Sequence, residues 1–223
     1  MAAEIAIIDY GVGNLRSVQK AFAASGHDAV VTSDAAVIGA AERVVLPGVG
    51  AFGAAINTLR ESKLEGVALD AAASGRPFLG ICVGMQLLFS EGEEMGLHRG
   101  LNLVPGSVLR FDEKNLGPVA RGVKVPQIGW NALTFTENGT RSGLFAGLEG
   151  ESMVYFVHSY FCAPEDNQAV AATTDFIAPY CSAVARGNVY GVQFHPEKSG
   201  KVGLQILDNF ARLPSRVATQ AVR

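Results

Sequence analysis

Four short apolar runs, IAIID (5–9), AVVTS (29–33), RVVLP (43–47) and PFLGIC (77–82), recur through the first third of the chain, with helix-like stretches between them. That alternation is the rhythm of an α/β fold. LRSVQKAFAAS (15–25), stopped by Gly26, and two helical stretches around 54–73 supply the crossovers. PFLGIC is too brief for a helix and suits a central parallel strand. The expected architecture is a central mixed sheet with helices on both faces and a site at the carboxyl ends of the strands.

Past a helix read over GMQLLFSEG (84–92) the pattern changes. SVLRF (107–111), GWNALTF (129–135), SMVYFVHSYF (152–161) and CSAVARGNVYGVQF (181–194) read as strands parted by turn residues, so the second half is expected to be sheet-rich and partly antiparallel. A last amphipathic helix, VGLQILDNFAR (202–212), sets Val202, Ile206, Leu207 and Phe210 on one face. One domain over 1–212 is expected, with a frayed tail over 213–223. A net charge of -3 and the lack of a Lys/Arg run argue against nucleic acid as a partner. With no long apolar segment and no basic leader, the reading is a soluble cytoplasmic protein without a membrane span. The three cysteines lie far apart with no C-x-x-C pair, so no metal site is expected of them.

PFLGIC ends on a cysteine flanked by glycines, Gly80-Ile81-Cys82-Val83-Gly84. At a strand-to-helix junction this is a nucleophile elbow with Cys in place of Ser. The sharp turn strains the nucleophile's backbone and needs small neighbours, while free N–H groups at the helix start favour a thiolate. Such a nucleophile needs a base, and the base an orienter. VYGVQFHPEKS (189–199) offers both, because His195 and Glu197 sit two apart in what reads as extended chain and point the same way. Gln86 comes one helical turn after Cys82 and can face a substrate. Cys162 and Cys181 fall in strand-like runs, where a thiol is buried and protonated.

G-I-C-V-G-M-Q followed by V-Q-F-H-P-E-K-S resembles the class I, triad-type glutamine amidotransferases, whose fold is flavodoxin-like. I-D-Y-G-V-G-N-L-R-S, L-P-G-V-G-A-F-G, K-V-P-Q-I-G-W-N, Y-F-V-H-S-Y-F and H-P-E-K-S-G-K-V-G-L-Q-I-L-D-N-F narrow the resemblance to the glutaminase subunits of imidazole glycerol phosphate synthase, over residues 7 to 210. The resemblance implies a Cys82, His195, Glu197 triad that hydrolyses glutamine without metal or cofactor. It also implies a heterodimer in which ammonia passes to a separate cyclase subunit. It makes the Val49–Gly50 turn, with the N–H of Val83, the oxyanion hole, and it gives Gln86, Ser159 and Tyr160 the substrate. Asn14, Trp130 and Lys198 are assigned to the partner interface. The family usually has His where Gln127 stands, in a segment expected to face the partner.

Two alternatives stand beside this reading. One is a glutaminase serving a different synthase. The other takes Gly48-Val49-Gly50-Ala51-Phe52-Gly53 as a dinucleotide-binding G-x-G-x-x-G. That motif asks for an acidic residue at the end of the following strand, and the strand here ends in Cys82.

Overall fold

The computed structural model describes residues 3–149 and 151–215. The first half holds β1 (Ile5–Ile8), α1 (Leu15–Ala24), β2 (Ala29–Thr32), α2 (Ala35–Ala40), β3 (Arg43–Gly48), α3 (Phe52–Glu61), α4 (Glu65–Ala73) and β4 (Phe78–Cys82). Then come α5 (Val83–Leu87), β5 (Phe89–Gly92), β6 (His98–Arg99), β7 (Val104–Arg110), α6 (Glu113–Leu116), β8 (Gln127–Phe135) and α7 (Glu137–Arg141). β9 (Ser152–His158), β10 (Tyr160–Pro164), β11 (Val170–Asp175), β12 (Pro179–Arg186), β13 (Val189–Val192) and α8 (Gly200–Arg212) complete it.

The main sheet runs β2-β1-β3-β4-β13-β12-β10-β7-β5-β6, and β11, β8 and β9 branch from β12. From β2 to β13 every pairing is parallel, and β12 then joins β13 antiparallel. β1, β3, β4 and β13 are buried along their whole length, which is why they read as unbroken apolar runs. Right-handed crossovers fix the helices. The step from β1 to β2 runs one way along the sheet and puts α1 on one face. The steps from β2 to β3 and from β3 to β4 run the other way and put α2, α3 and α4 on the opposite face. The observed packing agrees, with α1 against α8 and α2 against α4. Phe22 of α1 meets Phe210 of α8 at 6.3 Å between ring centroids.

Several expectations are corrected. The helix read over 84–92 is cut to α5, and Phe89–Gly92 forms β5 beside β7. Leu87, Leu88 and Phe89 are each fully buried, so this stretch has no polar face for a longer helix to turn to water. β11, of small and hydroxylated residues, was not foreseen. Leu213 is buried and its carbonyl accepts from Arg43 Nη2 at 3.0 Å, so the tail expected to fray from this residue is docked at its start. Its remainder, 216–223, lies outside the described residues. Among the described residues, no helix is long and apolar enough to cross a membrane.

Phe210 is fully buried between Phe22 and Tyr190 and closes the α1–α8 face. Phe210→Ala is expected to lower the free energy of unfolding by about 3–5 kcal/mol, read from urea titrations.

Candidate active site

Three adjacent parallel strands end at one place. β3 and β4 stay in register up to Gly48 opposite Cys82, and β4 and β13 up to Ile81 opposite Val192. The glycine turn, the elbow and the His195 segment therefore leave the sheet side by side. Cys82 has φ 55° and ψ -115°, a strained conformation for a residue with a side chain. The glycines around it are required by close approach: a Cβ on Gly80 would lie 2.6 Å from Gly84 O, and one on Gly84 would lie 1.8 Å from Leu46 O.

Beyond β13, His195 is buried, and Glu197 Oε1 lies 2.9 Å from its Nδ1. The local route differs from the sequence reading. Pro196–Lys198 is a turn of 3-10 helix, so the turn brings Glu197 beneath the imidazole where an extended segment was expected. The backbone of His195 is clamped by its N–H on Tyr155 O at 2.9 Å and by Ser199 Oγ on its carbonyl at 2.6 Å. Burial works against a charged imidazole here, yet hydrogen bonds to Cys82 and Glu197, and their charges, outweigh it and raise His195 to about 10. The charged imidazolium is therefore the favoured form of His195.

A cleft of about 370 Å³ gathers Val49, Gly50, Cys82, Val83, Gln86, Ser159, Tyr160, His195 and Lys198. Gly50 has φ 84°, and Val49 is half-exposed. Gln86 does not lie on a helix surface: it is buried, and its Nε2 donates to Gln193 Oε1 at 3.1 Å and Tyr160 O at 3.4 Å. Lys198 Nζ stands 5.8 Å over the Tyr155 ring, and the half-exposed Trp130 meets the same ring edge-on at 6.1 Å. Asn14 stands at the N-cap position of α1, with no capping hydrogen bond from its side chain, and α1 abuts the Pro196–Lys198 turn. Glu197's side chain lies below the surface rather than in the cleft lining, as an orienter's would.

Gln127 is not a surface residue. It pairs with His158 across β8 and β9, is almost fully buried, and donates from Nε2 to Asn131 Oδ1 at 2.9 Å. Within the segment expected to face the partner, alternation along β8 turns the Gln127 side chain inward and the half-exposed Trp130 outward. The G-x-G-x-x-G glycines are also otherwise engaged. A Cβ on Gly48 would meet Gly84 N at 2.6 Å and one on Gly53 would meet the His98 ring at 2.5 Å, so the chain itself fills the space over these two glycines.

Two residues around Cys82 went unforeseen. Glu94, from the turn between β5 and β6, lines the cleft and accepts from Phe52 N at 2.8 Å. No spacing in the sequence ties it to Cys82. Gln193 places its Nε2 3.9 Å from Cys82 Sγ, and the period-two alternation that links it to His195 could have found it. Cys162 and Cys181 face each other across β10 and β12, both buried, with burial pushing the Cys162 thiol far up and that of Cys181 to about 12. Among the described residues, no group of His, Cys, Asp and Glu could hold a metal ion.

The glutamine amidotransferase class-I family model matches residues 6–213. The chain is a class I glutamine amidotransferase. Within that family the amidotransferase is 51% identical to imidazole glycerol phosphate synthase subunit HisH of Syntrophotalea carbinolica, over 92% of this chain and 98% of that one. It is also 51% identical to the HisH subunit of Geobacter metallireducens, over 94% and 98% of the two chains. It belongs with the HisH subunits. Among solved structures, PurLQS from Thermotoga maritima superposes with a TM-score of 0.71 at 19% identity, over 94% of this chain and 98% of that one, and shares the fold.

His158 behaves oppositely to His195. Burial lowers it to about 4, against a hydrogen bond to Tyr160 O that favours the charged form. An unfolded chain takes up this proton near 6.5 and the native chain only near 4, so stability falls as pH drops through that window. For the amidotransferase with His158→Gln, the loss of stability between pH 7 and 4.5 should shrink by about 2 kcal/mol, measured by urea unfolding at both pH values.

Proposed function

We propose that this amidotransferase is the glutaminase subunit of imidazole glycerol phosphate synthase, and that it hydrolyses glutamine at Cys82 and passes the ammonia to a separate cyclase subunit. One observation carries the reading: a strained cysteine elbow and a His195 paired with Glu197 open on a single cleft. The HisH relatives, matched over nearly their whole length, supply the synthase.

Glutamine's α-ammonium group pairs with Glu94, and its α-carboxylate takes hydrogen bonds from the Ser159–Tyr160 segment. The Cys82 thiolate attacks the side-chain amide carbon and the carbonyl electrons move onto oxygen. N–H groups of Val83 and of the Val49–Gly50 turn receive that oxyanion, and each such donor is worth about a hundredfold or more in rate. As the C–N bond breaks, His195 gives its proton to the departing nitrogen and ammonia leaves. Water, losing a proton to His195, then attacks the thioester and frees glutamate and the thiolate.

The partner face is the outer side of β8 and β9, where Ile128, Trp130 and Met153 are exposed beside Lys198 at the cleft. Binding there adjoins the Val49–Gly50 turn. We expect the partner to favour the turn conformation that aims an N–H at the oxyanion, so the free chain is a poor glutaminase. A hundredfold activation corresponds to about 2.7 kcal/mol.

With the cyclase subunit present, Cys82→Ser is expected to abolish glutamine-dependent synthesis and leave synthesis from ammonium salts intact. Residual glutaminase above about a thousandth of the parent rate would overturn the nucleophile assignment. Failure of the parent complex to make product from glutamine would overturn the choice of synthase.

A further inference from the structure

Behind the proposed nucleophile lie two buried glutamines, and the hydrolysis described above gives Gln193 no role. Gln193 is fully buried and follows the last paired residue of β13, Val192, as Cys82 follows Ile81 of β4. Its side chain stands between Gln86 and the sulfur, with Gln86 Nε2 at 3.1 Å from Gln193 Oε1 and Gln193 Nε2 at 3.9 Å from Cys82 Sγ.

Which end of each amide is nitrogen follows from what each touches. The carbonyl of Tyr160 can only accept, so the Gln86 atom 3.4 Å from it is nitrogen. The same nitrogen touches Gln193, whose contacting atom is then oxygen. That leaves the Gln193 nitrogen, a donor, for the sulfur. The two amides therefore run head to tail, each polarising the next, and the chain delivers a proton donor to Cys82 in a site without water's screening. A sulfur that meets donors is favoured as thiolate over thiol. The helix that follows is only five residues long and contributes little dipole of its own.

We propose that Gln193 holds Cys82 as a thiolate through its side-chain N–H, and that Gln86 is the positioning residue that keeps that N–H turned toward the sulfur. The proposal rests on Cys82 being the nucleophile. Its test separates the two, because it reads the thiol directly.

The rate of Cys82 alkylation by iodoacetamide is followed against pH by peptide mass mapping. In the parent chain Cys82 is expected to react in preference to Cys162 and Cys181; an inert Cys82 would sink the nucleophile assignment itself. Gln193→Met, close in shape but with no donor, should move the midpoint of Cys82 alkylation up by about one pH unit. The acid limb of kcat/KM for glutamine should move with it. Gln193→Glu, equal in size and acceptor-only when ionised, should move the midpoint at least as far, and it serves if the Met variant does not fold. Gln86→Met should give a smaller rise in the same direction. In the unaltered chain, one glutamine side-chain NH2 resonance should titrate with Cys82. A reactive Cys82 whose profile is the same in parent and folded Gln193 variants, or the lack of any such resonance, overturns the role of Gln193.

Discussion

Backbone packed on backbone is the constraint from which the rest of the site follows. The end of β3 and the turn from β4 into α5 touch without side chains between them, and Leu46 O, Gly48, Gly80 and Gly84 leave no room for a Cβ at any of the three glycines. Tyr10 Oη donates to Pro47 O at 2.9 Å and tightens the same contact. Packing of this kind over-determines the conformation at Cys82, so a positive φ that would relax in a free chain persists. It also sets where freedom begins. Through Gly48 the chain is paired to Cys82, and past it Val49 and Gly50 are exposed.

The two buried histidines show how neighbours, and not burial, assign charge. His195 and His158 are both almost wholly shielded from solvent. His195 has Glu197 at 2.9 Å and is held charged, whereas His158 faces the Tyr160 carbonyl and the Tyr180 hydroxyl and stays neutral. Desolvation opposes the cation at both, and at His195 the Cys82 and Glu197 side chains together reverse it. The sequence already separated them on that ground, since no acidic residue follows His158 as Glu197 follows His195.

What could be read in advance was what local spacing decides. β1, β3 and β4 were legible because strands buried on both faces must be apolar throughout, and Cys82 because its turn needs glycines two residues away on each side. His195 and Glu197 were paired correctly through a mistaken local geometry, since a tight turn can bring residues two apart together as well as a strand can. The illegible parts depend on partners distant in sequence. β5 was taken for helix because its pairing with β7 is a tertiary fact, and the burial of Gln127 was not foreseen because nothing near it in sequence says that His158 stands opposite. Glu94 reaches the cleft from a turn whose course only the folded sheet defines.

The same topology has a bearing on how the chain is made. β4 lies at the heart of the sheet, yet its neighbour β13 comes so late that Cys82 and Gln193 are 111 residues apart. During synthesis, β4 is an uncovered edge of wholly apolar chain until β13 has emerged. Long-range parallel pairing of this kind is slow, and an open apolar edge invites association with other nascent chains. The delay also means that a ribosome-bound fragment carries the cysteine well before the histidine. Closure of the sheet beside β4 and the approach of His195 to Cys82 therefore arrive together, only once β13 has emerged.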